Sequence, residues 1–284
     1  MALSLNFRRI GLLYQSELPQ SRVMAAEMLE FIEDLGATAW VSGSWDDEAI
    51  TCNIEQTDLL IALGGDGSIL RAARLALGSE TLILGVNQGR LGFLAEVQPS
   101  EWRQSFEQIL LGSYWVEERL VVQAKWWRQG QQRGCYDAVN EIVVSRDGLA
   151  RVIRLATFIN ESYLTTYTAD GMILSTPTGS TAYALAAGGP ILPPELKNIL
   201  VIPVAPHLSL DRAIVLPAGD QVKLIIKTEY QAVLSVDGQF NIELADSDTV
   251  EVSASEKVSR FLRLQEGSYF YKTLMQRLGW PQNI

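Results

Sequence analysis

Histidine is almost absent from this chain, with one residue, His207, in 284. That excludes a centre built from several imidazoles, and in VIPVAPHLSL this one reads as a packing or capping residue, so base chemistry falls to carboxylates. Cysteine is nearly as scarce. Cys52 and Cys135 lie far apart in sequence and fit no metal-ligand spacing, which reads as two reduced structural thiols without further chemistry. Lysine and arginine total 23 against 33 aspartates and glutamates, a net charge of -10. Such a deficit of cations argues against a nucleic-acid partner, and any anionic ligand must find local help. No apolar run reaches the ~18 residues of a membrane helix. The opening MALSLNFRRIGLLYQ lacks the long apolar stretch and cleavage site of a leader, so a cytoplasmic protein without a membrane partner is the expectation.

What is present describes a folded protein. The hydrophobic set makes up 48% and charged residues 20%, the balance of an ordinary globular chain, and the length favours two domains. Ile10 to Tyr14 reads as a strand, and SRVMAAEMLEFIEDLG as an amphipathic helix that stops at Gly36. ATAWV, TDLLIAL and TLILGVN are further strand patterns, with a helix after the second on which Ile69, Leu70, Ala73 and Leu77 share a face. This βαβ alternation predicts a Rossmann-like three-layer α/β domain with a parallel sheet over residues 1–115. From about Tyr114 the texture changes to short β-branched runs, among them RLVVQAKWW, NEIVVS, RVIRLATFI, YLTTYTA, MILSTP, AIVLP, VKLII, AVLSVDG and TVEVSAS. Residues 116–262 therefore read as an all-β, sandwich-like domain. Over 263–284, GSYFYKTLMQRLGW regains helical spacing, with Tyr269, Leu274 and Leu278 apolar, and is expected to return to the first domain.

The stretch LLIALGGDGSILRAAR, Leu59 to Arg74, ends a buried strand in glycines and opens a helix. Backbone N–H groups and a helix N-terminus at the carboxyl edge of a parallel sheet form an anion site. Gly64, Gly65 and Gly67 would permit positive φ and let a phosphate approach without a Cβ in the way, while Ser68 would cap the helix or donate its hydroxyl. Asp66 is the anomaly, a negative charge where negative ligands belong. Two roles fit it: orienting Mg²⁺ or its waters on a polyphosphate, or accepting the proton of an attacking hydroxyl. A second dense region, TTYTADGMILSTPTGSTAYALAAGGPI, offers hydroxyls, free backbone groups and Tyr183, suited to a base and ribose. It equally suits a polar loop that opens a helix, with Thr178 to Ser180 capping and Tyr183 filling core.

With GGDGS at Gly64 to Ser68, GVNQGRLGFL at Gly85 to Leu94, NE at Asn140 and Glu141, ADGMILSTPTGSTAY at Ala169 to Tyr183, then AAGGPI, APH and VDGQ, the chain resembles the NAD kinase family over most of its length. The resemblance implies transfer of the γ-phosphoryl group of ATP, or in some members of polyphosphate, to the 2′-hydroxyl of the adenosine ribose of NAD. ATP and NAD are then the substrates and Mg²⁺ accompanies the donor, with no direct protein ligand to the metal expected. Asp66 takes the place of the proton acceptor. Gly64, Gly65, Gly67 and Ser68 would line the phosphates, with Arg71 adding positive charge or standing as a solvated helix residue. For NAD, the resemblance points to Asp66, Gly67, Phe93, Asn140, Glu141, Arg151, Asp170, Thr178, Thr181, Ala182, Tyr183, Ala186, Ala205 and Gln239. An amide at Asn140 can read an adenine edge, and a carboxylate at Glu141 can accept from ribose hydroxyls. The family also implies a homo-oligomer, a dimer or tetramer, with exposed strand edges as an interface.

Two departures stand out. PHLSLDRA, Pro206 to Ala213, replaces the usual PHSLS followed by arginine and proline, and Ala186 stands where a serine is common. Neither touches Asp66. A phosphofructokinase-like or lipid kinase would share GGDG but leave STPTGSTAY and the NE pair unexplained, and no TIDND-type segment is present. A catalytically silent NAD(H)-binding sensor would be marked by a missing acid or a broken glycine run; this chain keeps both.

Overall fold

The computed structural model describes residues 7–89, 92–148, 152–207, 211–267 and 269–279. They form two compact units: the described residues up to Glu118 with those from Ser259 onward, and Arg119–Val258.

In the first unit β1 (Arg9–Tyr14), α1 (Pro19–Asp34), β2 (Thr38–Gly43), α2 (Asp47–Ile54), β3 (Leu59–Gly64), α3 (Asp66–Leu75) and β4 (Leu82–Asn87) alternate, and α4 (Trp102–Leu110) follows. The strands pair in parallel, in the order β2-β1-β3-β4. Every residue of β3 is buried, as a strand covered on both faces requires. Leu59, Ile61 and Leu63 enter one apolar cluster with Met28 and Ile32 of α1 and Phe106 and Ile109 of α4. α3 packs on β3 and β4, with α2 against α3, which completes three layers. Helix α1 ends as its glycine foretold: Gly36 has φ 84, its N–H donates to Glu33 O and that of Ala37 to Ile32 O, the paired bonds of a Schellman stop.

The second unit contains β5 (Trp115–Arg128) from Arg119 onward, β6 (Gln131–Ala138), β7 (Glu141–Arg146), β8 (Ile153–Ile159), β9 (Ser162–Ala169) and β10 (Gly171–Ser175). A 3-10 turn at Thr178–Thr181 leads into the single turn α5 (Tyr183–Ala186). β11 (Asn198–Val204), β12 (Ile214–Pro217), β13 (Val222–Lys227), β14 (Ala232–Val236), β15 (Phe240–Leu244) and the first part of β16 (Thr249–Arg263) follow. One antiparallel sheet runs β12-β11-β10-β7-β14-β15. The other holds β16, β13, β8 and β9 with β5 and β6. Ile142, Val144, Met172, Leu234, Leu155, Leu224 and Val250 share one core, the alternating inward residues of a sandwich.

Strands β6, β11 and β15 escaped the sequence reading. The outer end of β6, QQRG, is largely exposed and has no apolar alternation to betray it. β11 carries Pro203, which counts against a central strand. The structure tolerates it because β12 pairs only with Asn198 to Val201, so no described strand on that side calls for the missing N–H.

The end of β16 belongs to the first unit, where Phe261 bridges Ile83 in parallel. Arg263, buried, pairs there with Glu96 at 3.0 Å and Glu117 at 2.7 Å. Helix α6 (Tyr269–Arg277) also lies in this unit. Phe270 stands 6.4 Å from the Phe93 ring, the Arg277 guanidinium lies 5.7 Å over that ring, and Thr273 is buried. The packed face therefore includes Phe270, Thr273 and Arg277 beside the partly buried Leu274 and Leu278; the Tyr269 side chain lies outside the described residues.

Candidate active site

In the first unit the chain leaves β3 at Gly64 and enters α3 at Asp66, with Gly65 in extended backbone as the helix cap. None of Gly64, Gly65 and Gly67 has a positive φ, which corrects the expected use of their conformational freedom. What matters is the missing Cβ. At Gly64 it would meet the Ser68 side chain at 2.6 Å, while Gly65 and Gly67 border open space. Ser68 makes no side-chain cap; it packs on Gly64 instead. Gln88 N–H donates to Gly64 O at 3.1 Å, which ties the turn to the segment after β4.

Asp66 is half-buried in the first turn of α3. Its Oδ2 accepts from Phe93 N–H at 2.7 Å and its Oδ1 from Leu94 N–H at 3.0 Å. A Cβ on Gly92 would strike that carboxylate at 2.1 Å. The side chain is thus held on a floor that only glycine permits, and each oxygen keeps a further lone pair. Phe93 carries the other side of this arrangement, its carbonyl accepting from Arg277 at 3.3 Å.

Arg71 is no solvated helix residue. It is 7% exposed, donates from Nε to Ser44 O at 2.8 Å, pairs with Asp47, and lies 4.2 Å from the centroid of the Trp45 ring. Its guanidinium pins the start of α2 to α3. Cys52 and Cys135 are both free and exposed, so the expected structural thiols fill no core.

In the second unit three segments meet around Asn140. The TPTGS turn grips it: Thr176 N–H and Ser175 Oγ donate to Asn140 O at 2.8 and 3.1 Å, and Thr176 Oγ1 donates to Val139 O at 2.6 Å. A Cβ on Gly179 would meet Asn140 O at 2.3 Å. From the other side Asp237 accepts the N–H groups of Val139, Asn140 and Glu141. Asp237 and Gly238 both have positive φ, 51 and 64, the turn expected of DG between β14 and β15, and Gln239 N–H closes it on Val236 O.

Two buried oxygens beside this junction have no hydrogen-bond partner, Glu141 Oε2 and Thr178 Oγ1. Such atoms are rare in folded proteins and call for an explanation. Glu141, with Tyr183, Ser235, Gly238 and Asn241, lines a cavity of about 400 Å³ that runs along β7 to Arg146. Burial first, and the Asp237 charge second, push the Glu141 carboxyl up to about 8. Tyr183 is 46% exposed and so does not fill core. Thr181 Oγ1 donates to Thr178 O, Ala182 is partly buried and Ala186 exposed.

Asp170 and Ala205 gather at the opposite end of β10 from Asn140. Asp170 N–H donates to Val204 O at 2.9 Å, and Ala205 is left-handed at φ 45, a strained conformation for alanine. The Asp170 carboxylate is bidentate to Arg146 at 2.7 and 2.9 Å; that bonding chiefly holds its pKa below the usual range, with His207 nearby a lesser cause. His207 is exposed, and its N–H donates to Thr168 O. Arg151 lies outside the described residues, as do Arg90 and Leu91 of the GRLGF block.

Comparison with known proteins decides the family. Residues 4–114 match the ATP-NAD kinase N-terminal domain and residues 139–264 the ATP-NAD kinase C-terminal domain. The chain belongs to the NAD kinase family. The NAD kinase of Chloroflexus aurantiacus is 40% identical over 272 residues, 95% of this chain and 98% of that one. The NAD kinase of Dehalococcoides mccartyi is 37% identical over 273 residues, 96% of each. In fold it is similar to a yeast NADH kinase complexed with NADH, with a TM-score of 0.85 and 23% identity over 98% of this chain and 89% of that one. It is also similar to an Archaeoglobus fulgidus NAD kinase in complex with ATP, with a TM-score of 0.78 and 23% identity over 96% of this chain and all of that one.

Within this NAD kinase fold the sequence reading missed two residues next to the candidates it named. Gly92 was visible only as part of GRLGF, and its contact with Asp66 spans a loop that no periodicity encodes. Asp237 announced itself as a turn residue, in DG, but its bonds reach residues 96 to 98 positions away.

Proposed function

We propose that this member of the NAD kinase family transfers the γ-phosphoryl group of ATP to the 2′-hydroxyl of the adenosine ribose of NAD, with Asp66 accepting the proton of that hydroxyl. The observation that carries the reading is the Asp66 carboxylate, fixed by two N–H donors in the first turn of a helix behind a Cβ-free turn. Fixed placement suits a weak base that must act by position, taking the proton late as the O–P bond forms. Gly64, Gly65, Gly67 and Ser68 would receive the donor phosphates on backbone N–H groups at the helix start.

The dinucleotide is assigned to the Asn140 junction, where the unpartnered oxygens of Glu141 and Thr178 await hydroxyls or amides and Tyr183 offers a stacking face. Thr181, Ala182 and Ala186, which follow Thr178 in the chain, and Gln239 of the Asp237 turn are retained with it. Phe93, Arg151, Asp170 and Ala205 are retained as further contacts, the last through its backbone. Arg71 would act by shaping the turn, since its guanidinium is committed to Ser44, Asp47 and Trp45.

Among the described residues no group of three or more His, Cys, Asp and Glu side chains is placed to hold a metal ion. We read the cation as arriving ligated by the donor's phosphates, neutralising charge there. We further read the protein as a cytoplasmic homo-oligomer.

The test is NADP formation by purified protein supplied with NAD, ATP and Mg²⁺, beside Asp66→Asn. The wild type is expected to make NADP and the variant to lose a factor of about 10² or more in kcat. A wild type without activity sinks the assignment; a fully active variant sinks the role of Asp66.

A further inference from the structure

Asp237 is more than a hairpin needs. A DG turn asks only for left-handed backbone, which Asn or Gly supplies as well. Here the carboxylate is buried, 7% exposed, and Oδ1 accepts from Asn140 and Glu141 N–H at 2.7 and 3.0 Å while Oδ2 accepts from Val139 N–H at 2.9 Å. Its own N–H donates to Glu141 O at 3.0 Å. Four hydrogen bonds therefore tie one turn residue to the segment that carries the two candidate ligand-reading side chains.

We propose that Asp237 is a positioning residue of the dinucleotide site: it clamps the Asn140–Glu141 turn in its ligand-reading shape, so that the buried, unpartnered Glu141 carboxyl is presented to the ligand. The inference rests on the dinucleotide reading above and deepens it. The geometry supplies both halves. The clamp fixes where Glu141 starts on β7, and Glu141 Oε2 stands buried and unpartnered on a residue that lines the cavity. The titratable and charged groups around it are Asp237 from the β14–β15 turn, Tyr183 from α5, and Arg146 with Asp147 at the far end of its own strand. Burial, then the Asp237 charge, keep this carboxyl protonated at neutral pH. A neutral acid donates to a ribose oxygen and adds no charge against the dinucleotide's own phosphates.

The experiment is calorimetric titration of NAD, and separately of ATP, into the full-length protein between pH 6.5 and 9, for the wild type, Asp237→Asn and Glu141→Gln. Wild-type affinity for NAD is expected to weaken as pH rises through about 8. Asp237→Asn is expected to weaken NAD binding at pH 7 by roughly tenfold, to shift the alkaline weakening to lower pH because the like charge is gone, and to leave ATP binding unchanged. Glu141→Gln, a donor at every pH, should show no alkaline weakening. An Asp237→Asn variant with wild-type NAD affinity and an unmoved alkaline limb overturns the proposal. Should that variant fail to fold, a limb that persists in Glu141→Gln overturns it alone. Wild-type protein that binds ATP but not NAD at any pH removes the dinucleotide reading, and the role of Asp237 with it.

Discussion

A carboxylate that is to act by position, as proposed for Asp66, must not turn away, and two amide N–H groups and the bare Cα of Gly92 hold it in place. Gly92→Ala must displace the carboxylate, because the new Cβ would lie 2.1 Å from Oδ1. We expect kcat to fall by about tenfold or more with the far-ultraviolet circular dichroism unchanged; an alanine variant with wild-type kcat would show that the carboxylate position is immaterial. Glu141 carries a different expectation. Its carboxyl is raised to about 8 in the folded protein against about 4.3 in an unfolded chain. Between those values the folded state holds a proton that the unfolded state has lost, so stability declines as pH rises from about 4.3 to 8. Glu141→Gln lacks this decline, and its unfolding free energy should gain on the wild type with rising pH by up to about 1.4 kcal/mol per unit. Parallel stability curves for the two proteins would refute it. At this scale Asp66, Asn140 and Glu141 were legible as candidates because their motifs are contiguous. The supports Gly92 and Asp237 were not, since each acts across a gap in the chain.

Strands and helices obeyed their local patterns wherever burial was regular. β3 reads as a strand because both its faces are covered, and α1 ends where Gly36 can turn left-handed. Pattern failed for β6, whose outer end is solvent-exposed, and for β11, whose proline lies beyond the residues that pair with β12. The end of β16 depends on something no pattern announces, the buried Arg263 between Glu96 and Glu117, with Glu96 Oε1 also accepting Leu264 and Gln265 N–H. Arg263→Met removes the shared cation from two buried carboxylates, which costs about 3–5 kcal/mol. Urea unfolding monitored by fluorescence reads the loss, and a change under about 1 kcal/mol would assign the network no weight.

For the whole molecule, exposed apolar residues on outer strands bear on assembly. Tyr163 and Leu164 on β9 and Val215 on β12 are 60, 38 and 46% exposed, on strands that each leave one edge unpaired among the described residues of their sheets, a hazard that proteins usually cover. Light scattering at micromolar concentration is expected to give two or four times the 31.4 kDa chain mass; a monomer would contradict the oligomer reading. The amino-acid sequence by itself determined the two textures, βα alternation then short strands, and the glycine turn that puts a carboxylate at a helix start. Those follow from periodicity and backbone freedom, which act over a few residues. Only the tertiary structure decided that Phe93 and Leu94 hold Asp66, that Arg71 turns to Asp47, and that Asp237 reaches Val139 to Glu141. Such contacts depend on which strands pair and in what register, and packing over the whole unit selects that.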